Sequence, residues 1–337
     1  MPDPVWACGA ALLLTVVTPG GLLAMLLVPM DDTDPVEWTV AALGLGVAVL
    51  VVNGLILSYL PLRLGATILL LWFDGLALAL AALVWRIRPG WRIRRSIPDG
   101  TLFDLLVVLG LGAGLRLPEL GYAEFQGDES RVVVAALAVL QDVPDALFYH
   151  GKGPAEVLVT ALHYGLVGAL SEASARLPFA LANLAGLATV YLIARRLLGR
   201  PGALATALLL VFNGYLVVFG RFAQYQSLVF FLSALAVWSA LRWSRGRLAD
   251  HWPVLAGAFA GTGALAHYDA VFALPPIALL ALGRHGLHGL LERRAALAWF
   301  AGGAVGLVLM LLFFGPYLLN PLYELAEDRF VRRGVGT

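Results

Sequence analysis

Charge is scarce in this sequence, and what there is nearly cancels. Asp, Glu, Lys and Arg make up 13% of the 337 residues, where a soluble domain carries about 25%. The formal net charge is only +1, so no bulk basic field points to nucleic acid as a partner. Cysteine occurs once, as Cys8. That excludes an intrachain disulfide and any metal site built from several thiolates, and it leaves the compartment open. Alternating apolar and polar segments of the kind that build a membrane β-barrel are missing. A basic n-region is missing too: the chain opens MPDPVWACGA, and its apolar run is expected to be a first span rather than a cleavable signal.

Apolar residues take up the room that charge leaves. They are 60% of the chain and gather in long runs. Apolar stretches of about 18 residues or more with few charges argue a polytopic α-helical membrane protein. Spans are expected near Val5–Val28, Trp38–Leu60, Leu64–Trp85, Leu102–Leu117, Leu177–Ala194, Pro201–Phe219, Ser227–Trp243, Trp252–Ala266, Ala270–Leu282 and Ala296–Leu319. Proline or glycine punctuates many of their ends, as at Pro61, Pro98, Pro201 and Pro253.

The arginines set the orientation. They crowd loops at Arg86, Arg88, Arg92, Arg94 and Arg95; at Arg195, Arg196 and Arg200; at Arg242, Arg245 and Arg247; and at Arg284, Arg293 and Arg294. All four groups are expected on the cytoplasmic side. An even number of crossings must then separate any two of them. Three apolar segments lie between the first two groups, so one does not cross. Ala155–Leu170 is the segment expected not to, because it carries Glu156, His163 and Tyr164 and polar groups are costly at mid-bilayer. It is read as a helix in or dipping into the interface, with Val132–Leu140 as a second interfacial helix. Asp74 falls inside a span, where a helix-pairing hydrogen bond and a functional role are both open.

The longest polar interruption is Gly121 to Pro154, GYAEFQGDESRVVVAALAVLQDVPDALFYHGKGP. It holds Asp128 and Glu129, then Arg131, and later Lys152. On this topology Asp128, Lys152, Arg176 and Arg221 share the outer face, against the positive-inside trend. A carboxylate, a guanidinium and an ammonium at the mouth of a bundle suit a reaction on a phosphate-linked lipid. Simpler roles stand beside this one. The acidic pair can cap a helix N-terminus, Arg131 can be its ion-pair partner, and Lys152 can snorkel to headgroups. His150, His163, Gln224 and Gln226 read as structural or substrate-lining. His285 and His288 read as a solvated loop, since a metal would need a third ligand.

At these residues the chain resembles a known group. Gln126-Gly127-Asp128-Glu129-Ser130-Arg131 looks like the acidic motif in the first external loop of GT-C fold glycosyltransferases. It is closest to the protein O-mannosyltransferases and lipid A aminoarabinose transferases (glycosyltransferase family 39-like). Lys152-Gly153-Pro154 is similar to that group's Lys-Pro-Pro. Ala175-Arg176-Leu177-Pro178 and Ala194-Arg195-Arg196-Leu197-Leu198-Gly199 resemble the two ends of its second core span. Arg221 to Gln226 resembles the second external loop, with Gln226 where many members have aspartate. His267, before Tyr268-Asp269, falls where members have lysine.

The resemblance implies an all-α membrane protein with a seven-span GT-C-like core preceded by three extra spans. The expected organisation is a unit over 1–85, a basic cytoplasmic loop over 86–100, the catalytic core over 101–323, and the start of an external loop over 324–337. It implies transfer of a sugar from a polyprenyl-phosphate donor to an acceptor hydroxyl at the outer face of the cell (inner) membrane. The expected partners are that donor, membrane lipid and an acceptor the sequence does not identify. In this reading Asp128 and Glu129 are catalytic, and Arg131, Lys152, Arg176, Arg221 and His267 bind the substrate or its phosphate. No cofactor or tightly held metal is expected, although a divalent ion is compatible with the acidic pair. A lipid or polyprenyl-phosphate-sugar transporter and a non-catalytic scaffold are the alternatives. A transporter predicts internal repeats and charges near mid-membrane. No convincing repeat stands out, and the charges cluster at span ends.

Overall fold

The computed structural model describes residues 5–28, 33–88, 96–150, 152–168, 170–245 and 251–320. Arg92, Arg94, Arg95, Arg247, the tail from 321 onward, and the side chains of Arg245, Arg284, His285 and His288 lie outside this description. Among the described residues every regular element is helical. In order these are α1 (Val5–Leu12), a π turn (Leu13–Val17), α2 (Thr18–Leu27), α3 (Pro35–Ser58), α4 (Ala66–Ile87), α5 (Thr101–Arg116) and α6 (Gly127–Leu140). They continue as α7 (Ala155–Val167), α8 (Glu172–Val211), α9 (Gly214–Phe219), α10 (Gln226–Arg245), α11 (His251–Ala266), α12 (Leu274–Leu291) and α13 (Arg293–Leu319). Short 3-10 turns occupy Phe148–His150 and Tyr268–Ala273. Among the described residues six stretches are long and apolar enough to cross a membrane: Trp6–Leu27, Pro35–Ser58, Ala66–Ile87, Glu172–Val211, Gln226–Ser244 and Arg293–Leu319. This is an all-α polytopic membrane protein.

Capping residues decide where several helices start. Asp34 Oδ1 accepts from the backbone N–H groups of Val36 and Glu37 at 2.9 and 3.0 Å, which fixes the start of α3. Ser171 and Ser174 cap α8 reciprocally, each backbone N–H donating to the other's hydroxyl at 3.2 Å. α8 therefore begins five residues ahead of Leu177, where apolarity alone would start it. The long α8 is broken at Gly199, whose φ of 75° is a left-handed conformation that costs glycine little. The chain turns back there, so both limbs of α8 lie along α5. Near one end of α5, Asp104 meets Tyr191 and Arg200. Near the other, Arg116 meets Asn183 and the Val211 carbonyl.

These contacts define two ends of the bundle. At the first, Glu37 pairs with Arg196 and Arg242, Asp104 with Arg200, and Arg88 donates to the Leu26 carbonyl. The N-terminal halves of α11 and α13 run side by side from this end, through close backbone approach of Gly257 to Gly302 and Gly261 to Gly306. Described members of all four arginine groups thus belong to one end, as the crossing argument requires. The N-terminal helices α1–α4 share one continuous apolar core with the rest. Gly44 of α3 packs under Leu235 and Phe259, and Gly54 packs against Leu158 and Leu162.

α7 is the segment expected not to cross. Its 13 residues reach only about 20 Å at 1.5 Å per residue, short of the ~30 Å hydrocarbon layer. It does not lie open on a surface either. Ala155 through Tyr164 are all buried, enclosed by α3, α4, α6 and α8. Its polar residues thus meet protein. Asp74 on α4 is exposed and has no partner among the described residues.

Candidate active site

The second end of the bundle collects the polar loop and the starts of α6, α7, α8 and α10. α6 begins at Gly127, and its first turn puts Asp128 and Glu129 on different faces, because neighbouring helical residues diverge by about 100°. Glu129 turns inward and is fully buried. Its Oε1 accepts from Arg176 Nε at 2.9 Å and from the Ala223 backbone N–H at 2.9 Å. Its Oε2 accepts from Arg176 Nη2 at 2.9 Å and from the Gln126 backbone N–H at 3.1 Å. Arg176, 1% exposed, spends its remaining donors on the carbonyls of Leu120, Ala123 and Glu124. One bidentate pair therefore ties α6, α8, the loop before α10 and the strap 120–124 together. Arg221 serves the same strap from outside. Its guanidinium donates to the carbonyls of Leu115, Arg116 and Glu119 at 3.3–3.4 Å and lies over the Tyr122 ring.

Asp128 turns outward. Its carboxylate has Arg131 Nη1 at 3.6 Å and Lys152 Nζ at 3.8 Å, and half of its side-chain surface is open. Arg131 is one turn along α6, so helical spacing supplies it. Lys152 is 24 positions away and arrives by tertiary packing. The cause is Gly153. A Cβ there would stand 2.1 Å from the Leu265 carbonyl oxygen and 2.7 Å from that of Ala266. Only a residue without a side chain lets this loop press on the end of α11. The contact puts Lys152 beside His267, the residue that follows α11. The Lys152 ammonium also sits 5.3 Å over the Tyr225 ring, and Tyr225 stacks flat on His267 with centroids 3.8 Å apart.

The electrostatics of this wall follow from burial. Tyr225 is pushed up to about 12 by burial, with the Asp269 carboxylate adding to the effect, so it stays a neutral phenol. Burial also lowers His267 below the ordinary imidazole value. Lys152 pushes the same way, against Asp269 and Glu156. The His267 ring is neutral at pH 7 and offers a phosphate a hydrogen bond rather than a full charge. Its Nδ1 lies 3.2 Å from the Asp269 backbone N–H and 3.1 Å from that residue's carboxylate.

Of the seven residues expected to act here, Arg131 and Lys152 meet at the open carboxylate of Asp128, and His267 stands behind Lys152 through Tyr225. Glu129 and Arg176 saturate each other beneath Asp128, and Arg221 braces the strap. Sequence reasoning passed over Tyr225, whose place at the end of a loop beside a span was its only signal. It also passed over the pair of His150 Nε2 with Glu156 Oε1, both buried, at the start of α7. Those two residues are six apart, a spacing that matches no helical face, and the 3-10 turn at Phe148–His150 is what joins them. Among the described residues no three His, Cys, Asp or Glu side chains converge as a metal-ligand set.

Residues 151–314 match the family model described as dolichyl-phosphate-mannose-protein mannosyltransferase. The match supports the resemblance to glycosyltransferase family 39-like membrane enzymes of the GT-C type. It takes in Lys152, Arg176, Arg221, Tyr225 and His267, while Asp128, Glu129 and Arg131 lie ahead of it. No curated protein and no solved structure matches the chain.

Proposed function

We propose that this membrane glycosyltransferase moves a sugar from a polyprenyl-phosphate-linked donor to an acceptor hydroxyl at the end of the bundle that carries Asp128, the external face on the arginine assignment. The observation that carries the reading is the juxtaposition of Asp128 with Arg131 and Lys152. It sets one unsaturated carboxylate against two cations that come from different parts of the chain. The acceptor oxygen must lose a proton as it attacks the anomeric carbon, and Asp128 is the group that takes it. The departing polyprenyl phosphate gains negative charge as the glycosidic C–O bond breaks. Arg131 can hold that phosphate with two parallel hydrogen bonds and Lys152 as a point charge. Fixed charges at the edge of a low-dielectric bundle stabilise the developing charge more than they would in water.

In this reading Glu129, Arg176 and Arg221 are positioning residues. They hold α6 and the strap so that Asp128 faces outward. Tyr225 and neutral His267 form a flat wall behind Lys152, suited to the face of a sugar ring or to one hydrogen bond with the phosphate. The deciding experiment is transfer of labelled sugar from a polyprenyl-phosphate sugar by the purified protein, with Asp128→Asn beside it. Loss of transfer in that variant, at unchanged stability and donor binding, supports the assignment. Undiminished turnover sinks it.

A further inference from the structure

A second site lies deeper, where the N-terminal helices meet the core. Thr15 and Val16 of the π turn, Leu43 of α3, Val159 of α7, Pro178 of α8 and Phe231 of α10 line a cavity of about 110 Å³. No charged residue lines it. His163 does, and it is 3% exposed with neither ring nitrogen hydrogen-bonded among the described residues. A buried imidazole without a partner is expensive, and structures rarely leave one so. From this lining's side chains, a water would find only two partners, the low end of the two to four a buried water takes. These are His163 and the Thr15 hydroxyl oxygen, whose proton already goes to the Ala11 carbonyl at 2.8 Å.

The backbone is also unusual at this place. The π turn Leu13–Val17 interrupts the first span beside the cavity, and such turns concentrate at functional sites. Close packing holds it there. A Cβ at Gly46 would stand 2.1 Å from the Val16 carbonyl oxygen, and one at Gly20 would stand 2.1 Å from that of Ala42. The first span is therefore locked to α3 at Val16 and Gly20, beside the cavity.

We infer that this cavity binds the hydroxyl end of a neutral lipid alcohol, with the hydroxyl on His163 and the chain leaving past Leu181. A neutral imidazole has one donor and one acceptor nitrogen, and a hydroxyl pairs with either. Absence of charge in the lining excludes a phosphate headgroup. The volume is below the about 150 Å³ of an apolar cavity that admits benzene, so it takes the end of a lipid and not its length. Leu181 lines the cavity and is 39% exposed, which makes it the mouth. The inference does not depend on the transfer reaction.

The test uses the full chain in phosphatidylcholine nanodiscs with a diazirine-tagged long-chain alcohol and a matched tagged alkane. After irradiation the label is mapped by mass spectrometry. The alcohol should label peptides around Leu12–Val17 or Val159–His163, and untagged alcohol should compete. His163→Leu should cut labelling about 3- to 10-fold, the value of one neutral hydrogen bond. His163→Gln should keep most of it. Leu181→Trp fills the mouth from an exposed position and should abolish labelling, which decides the matter should His163→Leu fail to fold. Equal labelling by the alkane, or labelling indifferent to both His163→Leu and Leu181→Trp, overturns the proposal.

Discussion

Two kinds of carboxylate stand beside arginines in this bundle, and they differ in how far their oxygens are already used. At the arginine-rich end, Asp104 accepts from Tyr191 at 2.8 Å and from Arg200 through both carboxylate oxygens at 2.9 Å. Glu37 accepts from Arg196 and has Arg242 at 3.6 Å. Glu129, at the other end, is saturated in the same manner by Arg176 and two backbone donors. All three are buried. Asp128 has two cations near it, each beyond hydrogen-bonding distance, and an open face. A saturated buried pair fixes helices and has nothing left to offer a substrate. An unsaturated carboxylate between two loosely held cations fixes nothing, and its ligand must come from outside. Neighbours in sequence, Asp128 and Glu129 thus belong to opposite classes.

The sharpest way to break this contrast is to neutralise each acid. Asp128→Asn keeps shape and hydrogen bonding but removes the proton acceptor. Transfer should fall by about 10²–10⁴-fold, while the melting temperature in detergent stays where it was. Glu129→Ala should reverse the pattern. It leaves the Arg176 guanidinium buried without its partner, which costs about 3–5 kcal/mol. Thermal unfolding should shift downward accordingly, and activity should follow the folded fraction. Replacing both members, Glu129→Leu with Arg176→Met, should recover part of that loss, since no charge is then stranded. Should Glu129→Ala leave the melting temperature unchanged, the lock is not structural and the division of the two acids fails.

The cations separate next. Lys152→Ala removes charge from a phosphate that is present in the ground state and becomes more negative as the bond breaks. Donor affinity and rate should both drop, by about 1.5–3 kcal/mol in total for a lost charged hydrogen bond. Arg131→Ala should behave similarly. Arg131→Lys should rescue only in part, because an ammonium cannot make the two-pronged contact. Titration with donor and single-turnover rates read the two effects apart. A Lys152→Ala protein with full donor affinity would remove Lys152 from the phosphate.

Much of the frame is legible in the sequence, and the reasons are physical. Among the described residues, the six stretches long enough to cross follow from apolar run length. Leu102–Leu117 and Trp252–Ala266 form shorter helices, Ala270–Leu282 starts in a 3-10 turn, and Pro201–Phe219 is broken after Val211. The shared end of the arginine groups follows from charge and parity. What escapes is whatever tertiary contact decides. Arg176 reads as an outer-face cation, and only the structure reveals that Glu129 and three carbonyls consume it. Arg131 beside Asp128 follows from helical spacing. Lys152 beside Asp128 depends on Gly153 pressing against the Leu265 carbonyl, a contact between segments more than a hundred residues apart. α7 reads as an interfacial helix because of Glu156 and His163. Its enclosure follows from the N-terminal helices sharing the core, which no local pattern announces.

The smallest expected effect tests the wall behind Lys152 through pH. His267 is buried and lies near Lys152, Asp269 and Glu156, and burial, its largest influence, lowers it below the ordinary value of about 6.5. The folded chain then binds fewer protons at this residue than the unfolded chain does. By linkage, stability from this group is complete above about 6.5 and declines as the pH falls through the lower folded value. His267→Gln keeps a hydrogen-bonding side chain but cannot take up a proton. The difference in melting temperature between pH 7.5 and pH 5 should therefore shrink in His267→Gln relative to the parent protein. At pH 7.5 the variant should lose only a little, from the flat stack with Tyr225. The opposite result, a parent protein that gains stability on acidification and loses that gain in His267→Gln, would mean that His267 is charged in the fold. It would then stand with Arg131 and Lys152 as a third cation for the phosphate.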